Sequence, residues 1–519
     1  MKYLEFGKQN VTVQEIAKVA CNNIGVKICD DKNYCDRIAA NVHFLQSALK
    51  DGQSVYGTTT GFGESCRQTI SESHAAELQR RLVLYHQCGT GAKFSPHQVI
   101  AIMSARLASL TRGYSGVRYT VLETLAQMIN HRIAPRIPVE GSVGASGDLT
   151  PLAYVAGAMS GTGQVDWHDK VVSAEEALRQ NGITPLKFAP KEGLAIMNGT
   201  SVMIGIMALT CGDILKLCET MEILTAMVVQ VLQGHTQAFD PRIHELKPFA
   251  GQKKSAHVIA QHLAQSPILA ASNKKQSPQG EKPKATASFH IQDVYSLRCA
   301  PHVIGVVRDT QENAVRWTEV ELNSVSDNPL VFHEDGNILM GGNFYGGYIA
   351  QAADSLKIAV PHLADLADRQ LALIIDEKFS NGLPANLVAP QPEELGLNHG
   401  FKGMQITCSA LTAEVLKNAM PASIFSRVTE CCNQDKVSLG TIAARDLVRS
   451  VELTARVLAI LSLAVVQAVD LRGGIEKLSP AVFDFYREIR QRSPYLATDR
   501  PLDKDIESVV QYLLQAKTE

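Results

Sequence analysis

The stretch TIAARDLVRSVELTARVLAILSLAVVQAVDL, Thr441–Leu471, contains neither glycine nor proline, and no charged residue stands between Arg456 and Asp470. Its apolar residues return at three- and four-residue intervals, and it is much longer than the three or four turns of an ordinary globular helix. It predicts a long helix packed in a bundle. Gly199–Gln233 reads the same way, and Ile304–Val325, Ile349–Phe379 and Thr407–Met420 are shorter windows of the same kind. Working outward, the chain reads as mainly α: a long-helix bundle body over residues 201–519, preceded by a smaller mixed N-terminal region over 1–200 that carries glycine-rich loops. In that region Glu77–Tyr85 and Pro96–Leu110 have the spacing of amphipathic helices. WHDKVV (167–172) and ITPLKFAP (183–190) read as extended pieces and as its only β content. Ser272–Ala287, polar, aperiodic and bearing lysine and proline, reads as a loop.

The whole chain has 519 residues, 45% of them hydrophobic and 20% charged, which is the composition of a folded globular protein. Fifty basic side chains against 52 acidic ones give a net charge of -2. No global field therefore calls for nucleic acid or an anionic membrane as partner. Eleven scattered cysteines without a C-x-x-C pair read as reduced, mostly buried thiols of a cytoplasmic protein, with no metal site. The first residues lack a signal-peptide core. The apolar runs Ser201–Cys211 and Val457–Val469 end at charged residues before reaching membrane-spanning length, so they read as core helices.

Three glycine-rich stretches break the helical pattern: YGTTTGFG (56–63), GSVGASGD (141–148) and GGNFYGG (341–347). None ends in the Gly-Lys-Ser/Thr of a phosphate loop. Ser146 is followed two places on by Asp148 where a nucleophile elbow needs glycine. His244-Glu245 lacks the second histidine of a zinc-protease helix, because Pro248 stands there.

What Ala145-Ser146-Gly147 permits is chemistry of the backbone itself. If the Gly147 nitrogen meets the Ala145 carbonyl carbon, a five-membered ring closes. Loss of two waters then turns Ser146 into an exocyclic alkene, giving a 4-methylideneimidazol-5-one. Ala145 is small enough to allow the approach, Ser146 supplies the leaving hydroxyl, and Gly147 tolerates the angles. Asp148 or Thr150, with Pro151 following, is placed to cap a helix whose positive end would face this electrophile.

The segment GSVGASGDLTPLAYVAGAMSG (141–161) resembles the cofactor-forming signature of the aromatic amino acid ammonia-lyase superfamily. The resemblance continues in order through VYGTTTGFG (55–63), EGLAIMNGTS (192–201), QDVYSLRCAPHVIG (292–305), SDNPL (326–330), GGNFYG (341–346) and NQDKVSLG (433–440). It implies non-oxidative deamination of an aromatic L-amino acid by the methylidene-imidazolone formed from Ala145, Ser146 and Gly147, with no external cofactor. By the same resemblance Tyr56 removes the β-proton as phenolate, which requires help from positive dipole or charge because tyrosine ordinarily titrates near pH 10. Arg298 clamps the substrate carboxylate through its planar fork. Asn328 supports that carboxylate, Asn198 and Tyr295 border the prosthetic ring, and Gln292 and Phe344 line the pocket. The resemblance also implies a homotetramer with dihedral symmetry whose sites draw on three subunits. Cys431-Cys432 reads as packing.

The choice of substrate rests on two places. Histidine-specific members resembling this chain carry Glu where Gln434 stands, and a neutral amide suits a benzene ring. At Tyr85-His86, phenylalanine-specific members resembling this chain carry an apolar pair, whereas tyrosine- and histidine-specific ones carry a His that can bond the ring's polar tip, so His86 favours a phenol. Tyr85 departs from the serine common beside such a histidine. The pattern is most similar to bacterial tyrosine-specific members, which implies L-tyrosine converted to trans-4-coumarate and ammonia. Phenylalanine, histidine, an aromatic 2,3-aminomutase and a catalytically silent scaffold of the same fold are the alternatives.

Overall fold

The computed structural model describes residues 2–275, 292–389 and 396–514. These fall into two compact units, each gathered from three segments. One comprises Met1–Gly212, Asn313–Ser355 and Pro421–Val448; the other comprises Asp213–Glu312, Leu356–Met420 and Arg449–Glu519. The expected boundary at residue 200/201 gives each unit one continuous stretch. Instead the chain changes unit within the helices Ser201–Leu232, Ala300–Leu322, Gly347–Ala359 and Gly440–Leu471. Two of these have 32 residues. At 1.5 Å per residue such a helix is about 48 Å long, more than a single small core is wide.

Gly440–Leu471 follows the predicted window almost residue for residue, and Val457–Leu461 and Ala464–Val466 are all buried. Both 32-residue helices contain a window long and apolar enough to cross a bilayer, but 72% and 89% of those windows is buried inside the protein. They are core helices. The window Ile349–Phe379 is interrupted: Pro361, which has no N–H to donate, separates Gly347–Ala359 from Pro361–Ile375. Pro96–Leu110 has its predicted bounds, opened by a capping box between Ser95 and Gln98 with Pro96 at the first turn. It is not amphipathic. Every residue from Val99 to Leu110 is buried, Arg106 included, so the polar positions that suggested a solvent face lie in the core.

The β structure is small, and among the described residues all of it lies in the first unit. WHDKVV forms the turn of a hairpin in which Gln164–Trp167 pairs antiparallel with Lys170–Ser173. His168 and Asp169 supply the two left-handed residues (φ 48° and 57°) that a two-residue hairpin turn demands. ITPLKFAP is not a strand. Its backbone lies in the connection before helix Glu192–Met197, and strands appear where none was expected, for example Tyr3–Phe6 paired parallel with Gly25–Ile28. Four-residue strands carry too little periodicity to be read from sequence. Of the expected loop Ser272–Ala287, the first residues continue helix Pro267–Lys275, and residues 276–287 lie outside those described.

Candidate active site

Three helix N-termini meet at one buried carboxylate in the first unit. Asp148 accepts the N–H groups of Val202 (3.0 Å) and Met203 (3.1 Å), the hydroxyl of Ser142 (3.0 Å) and that of Thr441. The first two open helix Ser201–Leu232, Thr441 opens Gly440–Leu471, and Asp148 itself precedes Leu149–Met159. Asp148 thus caps a helix distant in sequence. Its own helix has no side-chain cap, and Pro151 is that helix's third residue. Burial raises the Asp148 carboxyl, and its four donors oppose the rise. The positive ends of three helices are gathered beside residues 145–147.

Ala145, Ser146 and Gly147 form a tight turn with left-handed backbone at Ser146 (φ 51°) and Gly147 (φ 70°). A serine there stores strain of order 1 kcal/mol, which the packing around it must hold. Gly147 bridges Gly199, and a Cβ on Gly147 would lie 2.2 Å from the carbonyl carbon and oxygen of Gly199. Only glycine fits. On the other side the segment Val437–Leu439 clasps the turn: the Leu439 N–H donates to the Val143 carbonyl (3.0 Å), the Ser438 hydroxyl donates to the Gly144 carbonyl (3.3 Å), and Ala145 packs against Val437 and Leu439. A buried tight turn of small residues, over-determined from both sides and facing helix N-termini, fits the methylidene-imidazolone group.

Gln434 reaches this turn, its Nε2 lying 3.4 Å from the Ser146 hydroxyl. It is presented by a β-bridged turn, Thr429 to Gln434, in which Glu430, Cys431 and Cys432 are all left-handed (φ 54°, 52° and 64°). Three such non-glycine residues in succession are costly. Both cysteines are exposed, so they do not pack as expected; their place is set by the turn.

The Glu430 carboxylate accepts the Glu64 N–H at 2.9 Å, and a Cβ on neighbouring Gly63 would lie 2.3 Å from it. The Gly63 N–H in turn donates to the Tyr56 hydroxyl at 2.8 Å. This is the expected help for a phenolate, but it is outweighed. Burial and then the Glu430 charge hold the Tyr56 phenol above its ordinary value. The Tyr85 phenol is pushed up to about 12 by the protein around it, with Tyr56 and Glu430 adding. Its ring stacks on His86 at 4.3 Å between centroids. His86 Nδ1 lies 3.0 Å from the Leu82 carbonyl, which can only accept. Nδ1 therefore carries the proton and Nε2 is an acceptor. Burial lowers the His86 pKa and keeps the ring neutral.

Asn198 ends helix Glu192–Met197, nearly fully buried, with a side-chain oxygen that has no partner in the protein. Asn328 Oδ1 accepts the Gly341 N–H (2.8 Å), and the Asn328 backbone N–H donates to Asp327 (2.7 Å), whose other oxygen is ion-paired to Lys191. Lys191 and Asp327 are both fully buried; burial lowers the Lys191 pKa while Asp327 opposes. Phe344 is half-buried.

Gln292, Tyr295 and Arg298 belong to the second unit. Tyr295 and Arg298 share a four-residue helix, with the guanidinium 4.5 Å above the Tyr295 ring and its Nε donating to the Asp293 carbonyl at 3.0 Å. Tyr295 is 70% exposed and lines a cavity of about 650 Å³ with Arg369, Asp376 and Phe379. Glu430, Lys191, Asp327 and Arg106 had no place in the sequence reading. Asp327 lay inside the quoted SDNPL and Glu430 four residues before Gln434, but nothing in the chain signals a left-handed turn without glycine or a lysine buried at φ 75°.

The aromatic amino acid lyase family matches residues 11–491. The tyrosine ammonia-lyase of Cupriavidus metallidurans is 40% identical over 467 residues, 89% of this chain and 87% of that one. The histidine ammonia-lyase of Legionella pneumophila is 38% identical over 486 residues, covering 93% and 92%. Among solved structures, tyrosine aminomutase from Streptomyces globisporus has the same fold at a TM-score of 0.92 and 36% identity, covering 98% and 96%. Such likeness runs through both units and through the turn at Ser146, and on it the chain belongs to the aromatic amino acid ammonia-lyase superfamily and is a carbon–nitrogen lyase.

Proposed function

We propose that the chain eliminates ammonia from L-tyrosine to give trans-4-coumarate. The observation that carries the substrate is His86. With Nδ1 committed to Leu82, Nε2 is left as a neutral acceptor, the chemistry that suits a phenol O–H. At Gln434 a neutral amide stands where a carboxylate would suit an imidazole. An apolar analogue lacking the hydroxyl leaves His86 unpaired, which is how polar pockets discriminate.

Once formed from Ala145, Ser146 and Gly147, the methylidene-imidazolone supplies an electrophilic carbon that makes the departure of the amine feasible. The protein's side chains do the rest. Arg298 and Asn328 hold the substrate carboxylate, and Asn198 and Tyr295 border the ring. Gln292 and Phe344 wall the pocket. Tyr56, as the phenolate steadied by the Gly63 N–H, takes the β-proton at its oxygen and becomes the neutral phenol.

The assembled enzyme is read as a dihedral homotetramer whose sites draw residues from three subunits. Tyr295, and apolar residues such as Val306, Val320 and Ile406 on long helices, are exposed in the single chain and call for partners. All eleven cysteines are free, in keeping with a reducing cytoplasm. The likeness to tyrosine aminomutase supports a second reading, in which the same site returns the amine to the β-carbon. Separate incubations with tyrosine, phenylalanine and histidine, followed by ultraviolet absorbance and product chromatography, test both. Coumarate from tyrosine is expected; urocanate from histidine or cinnamate from phenylalanine as the main product overturns the substrate, and β-tyrosine overturns the lyase reading.

A further inference from the structure

Behind the Ser146 turn lies a charge with no counter-ion bonded to it. Arg106 sits in the buried stretch Val99–Leu110 of helix Pro96–Leu110 and has no exposed surface. Its Nη1 touches only hydroxyls, those of Ser326 (3.3 Å) and Ser201 (3.5 Å), while Nε and Nη2 have no partner in the protein. The nearby Asp327 is ion-paired to Lys191. Leaving a guanidinium so poorly satisfied in a core is expensive, and an apolar side chain of like volume would avoid the cost.

Its position gives that cost a purpose. A Cβ on Gly199 would lie 1.9 Å from Arg106 Nη1, so the guanidinium presses directly on the Gly199 backbone. Gly199 also bridges Gly147, and its carbonyl receives the Asp148 N–H at 2.8 Å. One glycine backbone alone separates the buried charge from the residue whose nitrogen closes the ring.

We propose that Arg106 is a positioning residue for ring closure, acting through its charge on the Ala145–Gly147 turn. In that closure the Gly147 nitrogen bonds to the Ala145 carbonyl carbon. The carbonyl oxygen leaves as water with the amide protons of Gly147 and Ser146. The Ser146 hydroxyl leaves as a second water with the Ser146 Cα proton. No oxidant is required. Negative charge builds on the attacked carbonyl, and a fixed, buried cation behind Gly199 favours it. This inference rests on the proposed prosthetic group, and the test keeps the two apart.

Intact mass after expression reads maturation directly, as a deficit of two waters, without any assay of turnover. A wild-type chain of unmodified mass would sink the prosthetic group and this inference with it. With the wild-type deficit complete, Arg106→Met, which keeps volume and removes charge, is expected to lose the waters at least tenfold more slowly. Arg106→Lys is expected to mature at neutral pH and to slow as the pH rises and the buried amine loses its charge. Circular dichroism and sedimentation establish that each variant is folded and assembled as wild type. Full maturation of folded Arg106→Met at the wild-type rate overturns the proposal. Should Arg106→Met fail to fold, the lysine variant decides alone: maturation independent of pH from neutral to alkaline overturns it equally.

Discussion

The two units of this chain differ in how much irregular backbone they contain. Every strand among the described residues lies in the first unit, as do ten of the fifteen non-glycine residues at positive φ. They include Ser146, Lys191 and the run Glu430–Cys431–Cys432. Among its described residues the second unit has helices and no strand, with the apolar C-terminal part of Gly440–Leu471 in its core. Helices satisfy their own backbone groups and need only apolar contact to persist. A reactive turn instead needs strain held in place from several sides, and hence strands, caps and buried polar groups. Most residues proposed for the chemistry thus lie in the first unit, and Arg298, the proposed clamp, lies in the second.

Substitutions in the two units should separate chemistry from stability. The largest effect is expected at Ser146→Ala, which removes the hydroxyl the ring must lose. The mass deficit should vanish and turnover fall by several orders of magnitude with folding intact. Near wild-type turnover would break the comparison at its centre.

Tyr56→Phe comes next, with a loss of roughly 10²–10⁴ in turnover while the mass deficit remains. Because burial and Glu430 raise the Tyr56 phenol, the reactive phenolate gains population as pH rises. Activity should therefore climb through the alkaline range with no plateau below about pH 10. Glu430→Gln, which keeps an acceptor for the Glu64 N–H but removes the charge, should move that climb to lower pH. An unmoved profile would place the base elsewhere.

A smaller effect is expected from the second unit. Arg298→Lys loses the planar fork and should raise KM about 10- to 100-fold, with less change in kcat. A fall in kcat alone would mean that Arg298 acts on the chemistry.

His86→Phe should shift the tyrosine-to-phenylalanine efficiency ratio by roughly 5- to 150-fold, the effect of one unpaired buried polar group. A larger shift from Tyr85→Phe would transfer the reading of the hydroxyl to Tyr85. No shift from either would remove the support for tyrosine. The least effect on turnover belongs to Leu461→Ala, a fully buried leucine of the second unit. It should cost about 2–5 kcal/mol of stability, read as a lower Tm, and leave the folded enzyme's kcat unchanged.

Much was legible along the chain because it depends on neighbours in sequence. The periodicity of Thr441–Leu471 is a local property, and the helix is found where that pattern puts it. Ala145-Ser146-Gly147 is likewise chemistry among three adjacent residues, so its potential to cyclise could be stated before any fold was known. Where the reading failed, a distant partner had decided. Asp148 caps Ser201–Leu232 in place of its own helix because the fold brings Val202 and Met203 to it. Pro96–Leu110 has helical spacing, but its burial on every side depends on what surrounds it. The Tyr56 phenol is raised by burial first and then by Glu430, nearly four hundred residues away in the chain. Side-chain chemistry and helical period are carried by the residues themselves; burial, field and the strain held at Ser146 are sums over neighbours that only the folded chain assembles.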